Sequence, residues 1–282
     1  MQNLSLHPLP PMERQALPFA LLAVIAGMFA LVRRTEWPRG RRLLVPVLVG
    51  LGLFVAPAVL VSLSKGRVPE LARVALFSLT PVFAVVLEPY IGHLMGPQTR
   101  GSLPAALAAV VGMLCIFPMQ IPQTGKAALA FGAVILAALC VAAANCQAVR
   151  GVIRTPGMPV TPMASIAGAT AAAGLLADSL LLEQPAWRPD ALASELAWSA
   201  LMDLPGLVLL FWLMRRMSAA RMTTRFVLTP LITLLIGAVV MHPSLTLRAW
   251  LGMLLIGGGA GWLLLAPEEE PEETVLPLNL ER

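Results

Sequence analysis

The chain has 282 residues, of which 58% are apolar and only 12% charged, and its formal net charge is +5. A soluble domain of ordinary composition carries about one charged residue in four, so this chain has too little polar surface to cover a globule in water. These proportions exclude a soluble enzyme, a disordered chain and a disulfide-rich secreted domain, and they predict a protein that crosses a lipid bilayer several times.

Nine apolar segments are long enough to cross the bilayer, whose hydrocarbon core of about 30 Å requires roughly 20 apolar residues per helix. None alternates in the way that a barrel strand requires, so the sequence predicts an all-α polytopic bundle. A polar lead-in, 1–16, precedes them, and a glutamate-rich tail, 267–282, follows. The nine predicted spans are 17–33, 43–63, 70–94, 102–122, 127–149, 161–182, 192–214, 222–241 and 247–266.

The basic residues lie mainly in the connections on one side of the membrane. The connections after the first, third, fifth and seventh spans contain 12 basic residues, and the opposite side contains seven. The positive-inside rule makes the richer side cytoplasmic, and an odd number of spans then places the N-terminus outside the cell membrane and the acidic C-terminus in the cytoplasm. Basic loops between apolar spans are explained by this rule, so we expect no nucleic-acid partner.

Residues that could carry out catalysis or bind a metal are scattered along the chain. The three cysteines form no Cys-x-x-Cys pair and lie inside apolar segments, as inert thiols do. No Lys-Ser or Lys-Thr follows the glycine-rich run from Gly257 to Gly261, so this run is not a phosphate-binding loop. The GxxxG spacing of Gly257 and Gly261 instead favours close helix packing, within the chain or in a homodimer. The sequence therefore predicts neither an enzyme nor a bound metal or other cofactor.

Two stretches of the sequence resemble each other. A Leu-Thr-Pro tripeptide ends at Pro81 and another at Pro230, and each is followed in the next span by a Gly-Met-Leu motif, at Gly112 and Gly252. The two copies lie five spans apart, so they cross the membrane in opposite directions. Inverted repeats of this kind are typical of transporters that bind their substrate near the membrane midplane. The predicted units are an incomplete first repeat of about four helices, 17–122, and a second repeat of five helices, 127–266.

The second half of the chain carries a set of loose motifs in a fixed order. They are Arg215-Arg216, Leu228-Thr229-Pro230, the polar break from His242 to Thr246, and the run from Trp250-Leu251-Gly252 to Gly261. In these features it resembles the end of an EamA-type protein of the drug/metabolite transporter superfamily, and residues 43–118 resemble the corresponding part of the first half. The resemblance implies ten helices in two inverted five-helix repeats that move a small metabolite.

The sequence departs from the family pattern in two places. Met241-His242 stands where the family often has a Gly-Glu pair before the last helix of a half. The pattern also begins at the second helix of the family, since the segment 17–33 is followed by the basic loop expected after helix two. The missing first helix lines the central cavity in the family. Two hypotheses follow: a secondary transporter that works by alternating access without ATP, and a transport-incompetent protein, either truncated or an accessory or scaffold subunit.

Charged and helix-breaking residues inside the spans are the candidates for a substrate pathway. A charge at a helix centre costs about 2.5–3.5 kcal/mol, and Asp203 lies at the midpoint of its predicted span. Asp203 is therefore either a carboxylate that binds substrate or protons, or a buried acid satisfied by a neighbouring helix. Pro81 and Pro230 each free a backbone carbonyl, which can shape a cavity or a hinge or can be a tolerated kink. Further candidates, each with a structural or interfacial alternative, are Glu88, Asp178 and Trp198.

Overall fold

All regular structure in the described part of the chain is helical. In a computed structural model, the residues described are 9–92, 98–117, 119, 122–154, 159–183, 189–242 and 246–266. Eight helical segments among them are long and apolar enough to cross a membrane. The remaining predicted span, 102–122, corresponds to a shorter apolar helix, Ser102–Ile116. The chain is therefore a polytopic helical membrane protein, as predicted. The acidic tail, 267–282, lies outside the described residues.

The described residues form twelve α-helices, and in three of the spans two short helices follow one another. The helices are α1 (Pro11–Val32), α2 (Leu44–Gly50), α3 (Ala56–Ser64), α4 (Glu70–Phe77), α5 (Thr80–Gly92), α6 (Gln98–Ile116), α7 (Gly125–Arg154), α8 (Val160–Leu182), α9 (Pro189–Leu213), α10 (Ala219–Thr223), α11 (Arg225–Met241) and α12 (Leu247–Leu265). A π-helical turn, Leu51–Val55, joins α2 to α3. Six of the nine predicted spans agree with these helices within about three residues, because long apolar segments determine where the chain can cross hydrocarbon. The start of α1, both ends of α6 and the end of α7 differ from the prediction by four to six residues.

The first helix begins six residues earlier than the sequence predicted. Its first residue is Pro11, and proline is favoured there because the first helical N–H needs no partner within the helix. The backbone N–H of Met12 donates to Oε2 of Glu183 at 3.0 Å, just beyond the end of α8. This hydrogen bond joins the first turn of α1 to the end of α8. The sequence did not predict this turn, because residues 11–16 are polar.

The two repeated prolines lie in different backbone settings. The span that contains Pro81 is broken at Ser78–Leu79, and Pro81 is the second residue of the new helix α5. Proline is tolerated there because the first turn of a helix does not use its own N–H groups. Pro230 instead lies within the continuous helix α11, and the break in its span is at Thr224, between α10 and α11.

Two helix pairs form the closest packing in the bundle, and each joins one helix of the first predicted repeat to one of the second. In the pair α1–α8, the hydroxyl of Ser165 donates to the carbonyl of Ala23 at 2.8 Å. In the pair α6–α12, Gly112 faces Gly252 so closely that a methyl group on Gly112 would lie 2.6 Å from the Gly252 carbonyl oxygen. Small residues at these positions allow the two backbones to approach, as is usual in membrane helix pairs.

The long helix α7 packs against the α2–α3 and α4–α5 spans of the first half. Among the described helices, none packs extensively on both α9 and α11, which occupy the corresponding places in the second half. Burial follows this difference. In the most apolar stretch of each span, 28% of the residues are buried in the α2–α3 span and 39% in the α4–α5 span, but only 11% in α9 and 17% in the α10–α11 span.

Candidate functional site

A cavity of about 550 Å³, open along much of one side, lies between α3, α4 and α11. Because α3 and α4 belong to the first predicted repeat and α11 to the second, the cavity lies between the two halves of the chain. Its size falls within the range of ordinary small-molecule sites. The lining residues are Val61, Glu70, Arg73, Val74, Phe77, Arg225, Phe226, Thr229 and Pro230.

Two charges at this cavity pair with each other. The Nη2 of Arg73 lies 3.4 Å from Oε1 of Glu70, one helical turn away on α4. The Glu70 side chain is 90% exposed and that of Arg73 only 17%, so the pair extends from the rim of the cavity inward. The Nε of Arg73 is buried and has no hydrogen-bond partner among the described residues. The pair cancels most of its own charge and leaves one buried donor unused.

Arg225 is a third charge, and no described side chain neutralises it. No ion pair or hydrogen bond joins its side chain to the described residues, and its guanidinium lies 4.9 Å from the ring centroid of Phe226. The Phe226 ring in turn stacks on Phe77 of α4, with centroids 6.0 Å apart and planes inclined by 29°. A cation above an aromatic face is stabilised by about 0.5–2 kcal/mol. The aromatic pair therefore supports the Arg225 guanidinium where it borders the cavity.

A second, smaller cavity of about 290 Å³ lies on another side of Arg225. It is bordered by α9, α10, α11 and α12, and its lining is apolar except for Arg221 and Arg225. The guanidinium of Arg221 donates to the carbonyl oxygen of Ala266 at the end of α12. Arg225 lines both cavities, so it lies at the boundary between them.

The residues predicted for a substrate pathway are dispersed in the structure. Pro230 lines the larger cavity, whereas Pro81 is buried in the helix packing beside the Ser78–Leu79 break. Asp203 and Trp198 are both exposed on α9, and neither is among the residues that line the two cavities. Of the six predicted residues, Pro230 alone is among the described residues that line the larger cavity.

Two of the predicted carboxylates lie near helix ends. Oε1 of Glu88 accepts a hydrogen bond from the backbone N–H of Ala219 at 3.3 Å, so Glu88 joins α5 to the first residue of α10. Asp178 lies on α8, and its Oδ2 is buried without a hydrogen-bond partner in the described part of the chain. In the described residues no cluster of three or more histidine, cysteine or acidic side chains is placed to hold a metal ion.

The predicted packing pair, Gly257 and Gly261, does not make the close contact of its helix with described residues. A methyl group on either glycine would meet nothing within 4 Å. The close contacts with α6 are made instead by Gly252 and Gly259, which lie on the opposite side of α12. A homodimer through Gly257 and Gly261 stays a prediction.

The sequence reasoning missed the charged and aromatic residues that line the larger cavity. Arg73 and Arg225 were assigned to the connections in the count of basic residues, although both lie inside predicted spans, 70–94 and 222–241. A charge inside a predicted span is the signal that could have identified them. Phe77 and Phe226 carried no such signal, because single aromatic residues are common in membrane helices.

Comparisons with known proteins establish the fold and no more. No family model matches the sequence, and no curated protein matches it either. Among solved structures, 27 chains match. One of them, described only as the crystal structure of a protein, has a TM-score of 0.71 and 18% sequence identity to this chain, over 92% of this chain and 90% of its own. Its helical architecture is therefore similar to that of this protein.

Proposed function

We propose that this multi-pass membrane protein is a secondary transporter of a small metabolite, of the EamA type. The observation that carries the proposal is the cavity between α3, α4 and α11, which lies between the two predicted repeats. Transporters built from inverted repeats bind their substrates at such an interface. The resemblance of the sequence to EamA-type proteins agrees with this placement.

Alternating access would use the irregular points in the spans that surround the cavity. The break at Ser78–Leu79 lies directly after Phe77, and the break at Thr224 lies directly before Arg225. At each break the backbone can rotate without disturbing a long continuous helix, as hinges generally do. A movement of α11 against α4 would widen one cavity and narrow the other. Because the sequence contains no nucleotide-binding motif, the energy would come from an ion gradient or from the substrate gradient.

Blocking the cavity tests this proposal. Thr229 and Thr233 lie one turn apart on the same helix and are both exposed, but only Thr229 lines the cavity. The purified chain is placed in liposomes with a mixture of cell metabolites, and the compounds taken up are identified by mass spectrometry. We expect uptake by the wild type and by Thr233→Trp, and loss of uptake in Thr229→Trp, because the indole would fill the cavity. Equal uptake by the two variants, or none above empty liposomes in the wild type, contradicts transport through this cavity.

Asp203→Asn separates the role of the carboxylate from that of the cavity. If Asp203 carries a coupling proton, this variant loses uptake driven by a proton gradient but keeps exchange of substrate across the membrane. Unchanged uptake removes Asp203 from the mechanism.

A second candidate function, an accessory subunit that assembles with a further helix, is favoured by the face of α9. Asp203 is exposed at the middle of that span, where an unpaired carboxylate in lipid costs about 2.5–3.5 kcal/mol. A transmembrane helix that carries a basic or hydrogen-bond-donating side chain opposite Asp203 would remove this cost. The resemblance, which implies ten helices, agrees with one further helix.

Cysteine labelling distinguishes a covered α9 from one that faces lipid. Met202 on α9 is 53% exposed and Val24 on α1 is 58% exposed, so the two form a matched pair. Each is changed to cysteine in a chain without its native cysteines and labelled with a membrane-permeant maleimide. If a helix covers α9, Met202→Cys reacts more slowly than Val24→Cys in native membranes and equally fast in the purified chain. Equal rates in both preparations contradict a covering helix.

A further inference from the structure

We propose that the cavity between α3, α4 and α11 binds an anionic group of its ligand, a carboxylate or a phosphate joined to an apolar body, with Arg225 as the counter-ion. This inference rests on the proposed transport function, since it names the class of substrate. The reasons are the charge of the cavity, the position of Arg225 in the membrane and the composition of the walls.

The charge of the cavity is positive. Its ionisable lining residues are Glu70, Arg73 and Arg225. Glu70 and Arg73 form an ion pair at 3.4 Å, and the Glu70 carboxylate is almost fully exposed at the rim. Arg225 is left as the one uncompensated charge among the described residues of the lining. A cationic ligand would be repelled by it, whereas an anion would restore neutrality.

The position of Arg225 makes this charge costly when the cavity is empty. Arg225 lies six residues into the span Ala219–Met241, which corresponds to roughly 9 Å of helix. A charge inside a membrane span is usually paired or faces a water-filled cavity. The guanidinium lies against the Phe226 ring, and none of the described residues accepts a hydrogen bond from its N–H groups. Its planar donors match the paired oxygens of a carboxylate or phosphate.

The remaining walls suit the apolar part of such a ligand. Val61, Val74, Phe77 and Phe226 give the cavity a predominantly hydrocarbon and aromatic surface. Thr229 adds a hydroxyl group one turn from Arg225, on the same side of α11. A site with one uncompensated cation, one hydroxyl and mostly apolar walls selects a small amphipathic anion over a sugar, which requires many hydrogen bonds.

The test measures binding of simple aromatic probes to the full chain in lipid nanodiscs. The probes are benzoate, phenyl phosphate, benzyl alcohol and benzylamine, which share a ring and differ in charge. We expect benzoate or phenyl phosphate to bind more tightly than the alcohol, and the amine to bind most weakly. In Arg225→Gln the affinity for the anion should fall about 10- to 100-fold, because a hydrogen bond to a charged group is lost. The affinity for benzyl alcohol should not change.

Arg216→Gln is the matched control. The Arg216 guanidinium also lies over an aromatic ring, 5.3 Å from the centroid of Trp212, but Arg216 lines neither cavity. This variant should bind the anions as the wild type does, and Arg225→Lys should recover part of the affinity, since it keeps the charge but not the planar donors.

Each outcome decides a separate point. Binding of benzoate alone identifies a carboxylate, binding of phenyl phosphate alone identifies a phosphate, and binding of both supports the shared chemistry. Equal affinity for benzyl alcohol and the anions, no binding of any probe, or an equal loss in Arg216→Gln and Arg225→Gln overturns the inference. Anion binding that depends on Arg225, without uptake into liposomes, would refute the proposed transport function but still support the anion site. Uptake of uncharged metabolites without anion binding would refute the anion site but still support the proposed transport function.

Discussion

A methyl group added at Gly259 should destabilise the bundle, whereas the same change at Gly257 should not. The two glycines lie two residues apart on α12, so they point to nearly opposite sides of the helix. In Gly259→Ala the new carbon would overlap the carbonyl oxygen of Ala105 and lie 2.9 Å from the backbone nitrogen of Ala109 on α6. In Gly257→Ala it would meet nothing within 4 Å.

The magnitude follows from the contact distances. Unstrained contacts are about 3.5–4.0 Å, so α12 would have to move away from α6 by roughly 0.6 Å or more. Overpacking of this kind costs about 1–3 kcal/mol. The gain in helix propensity from glycine to alanine is common to both variants and cancels in their difference. We therefore expect Gly259→Ala to be about 1–3 kcal/mol less stable than Gly257→Ala.

The assay is unfolding in mixed micelles by titration with sodium dodecyl sulfate, which gives the free energy of unfolding for each variant. Circular dichroism of the native state checks that both variants fold. Equal stability of the two variants would refute the packing of α6 on α12. A larger loss in Gly257→Ala would mean that an unseen contact, such as a homodimer, uses the other side of α12.

Three further results are expected. Replacing Phe77 and Phe226 with leucine, singly and together, should give a coupling free energy of about 0.5–1.5 kcal/mol in the same unfolding titration, and additive effects would contradict the stacked pair. Glu88→Ala should lower the free energy of unfolding by about 0.5–2 kcal/mol, because it removes the acceptor at the start of α10; a variant as stable as the wild type would exclude that role. Reporter fusions should place Met1 and Arg282 on opposite sides of the membrane, and reporters on one side would contradict an odd number of spans.

The boundaries of most spans could be predicted because they depend on local composition. The predicted segment 161–182 and the helix α8 (Val160–Leu182) agree within a residue at each end. Lipid satisfies no backbone hydrogen bonds, so an apolar stretch of this length has to be helical. The start of α1 could not be predicted in this way, because residues 11–16 are polar enough to resemble a loop. In the structure this turn is buried against α8 and is joined to Glu183, more than 170 positions away, by the backbone N–H of Met12.

The sequence predicted that small residues allow close helix packing, but it did not predict which glycines of α12 make the contact. The GxxxG spacing singled out Gly257 and Gly261, yet the glycines that touch α6 are Gly252 and Gly259. A GxxxG spacing indicates only that one side of a helix carries small residues, and several sides of α12 carry them. Only the position of the neighbouring helix decides which side is used.

The sequence by itself determined that this protein lies in a bilayer, is all-helical and crosses the membrane many times, because hydrocarbon imposes these properties on any chain of such composition. Only the tertiary structure decided which charges line the same cavity. Arg73 and Arg225 lie 152 positions apart and were counted as two of many basic residues, but α4 and α11 bring them to one cavity. Asp203, the most conspicuous charge in the sequence, lies outside the lining of both cavities. Depth in the membrane is a local property of a sequence, whereas proximity of side chains depends on how the helices pack.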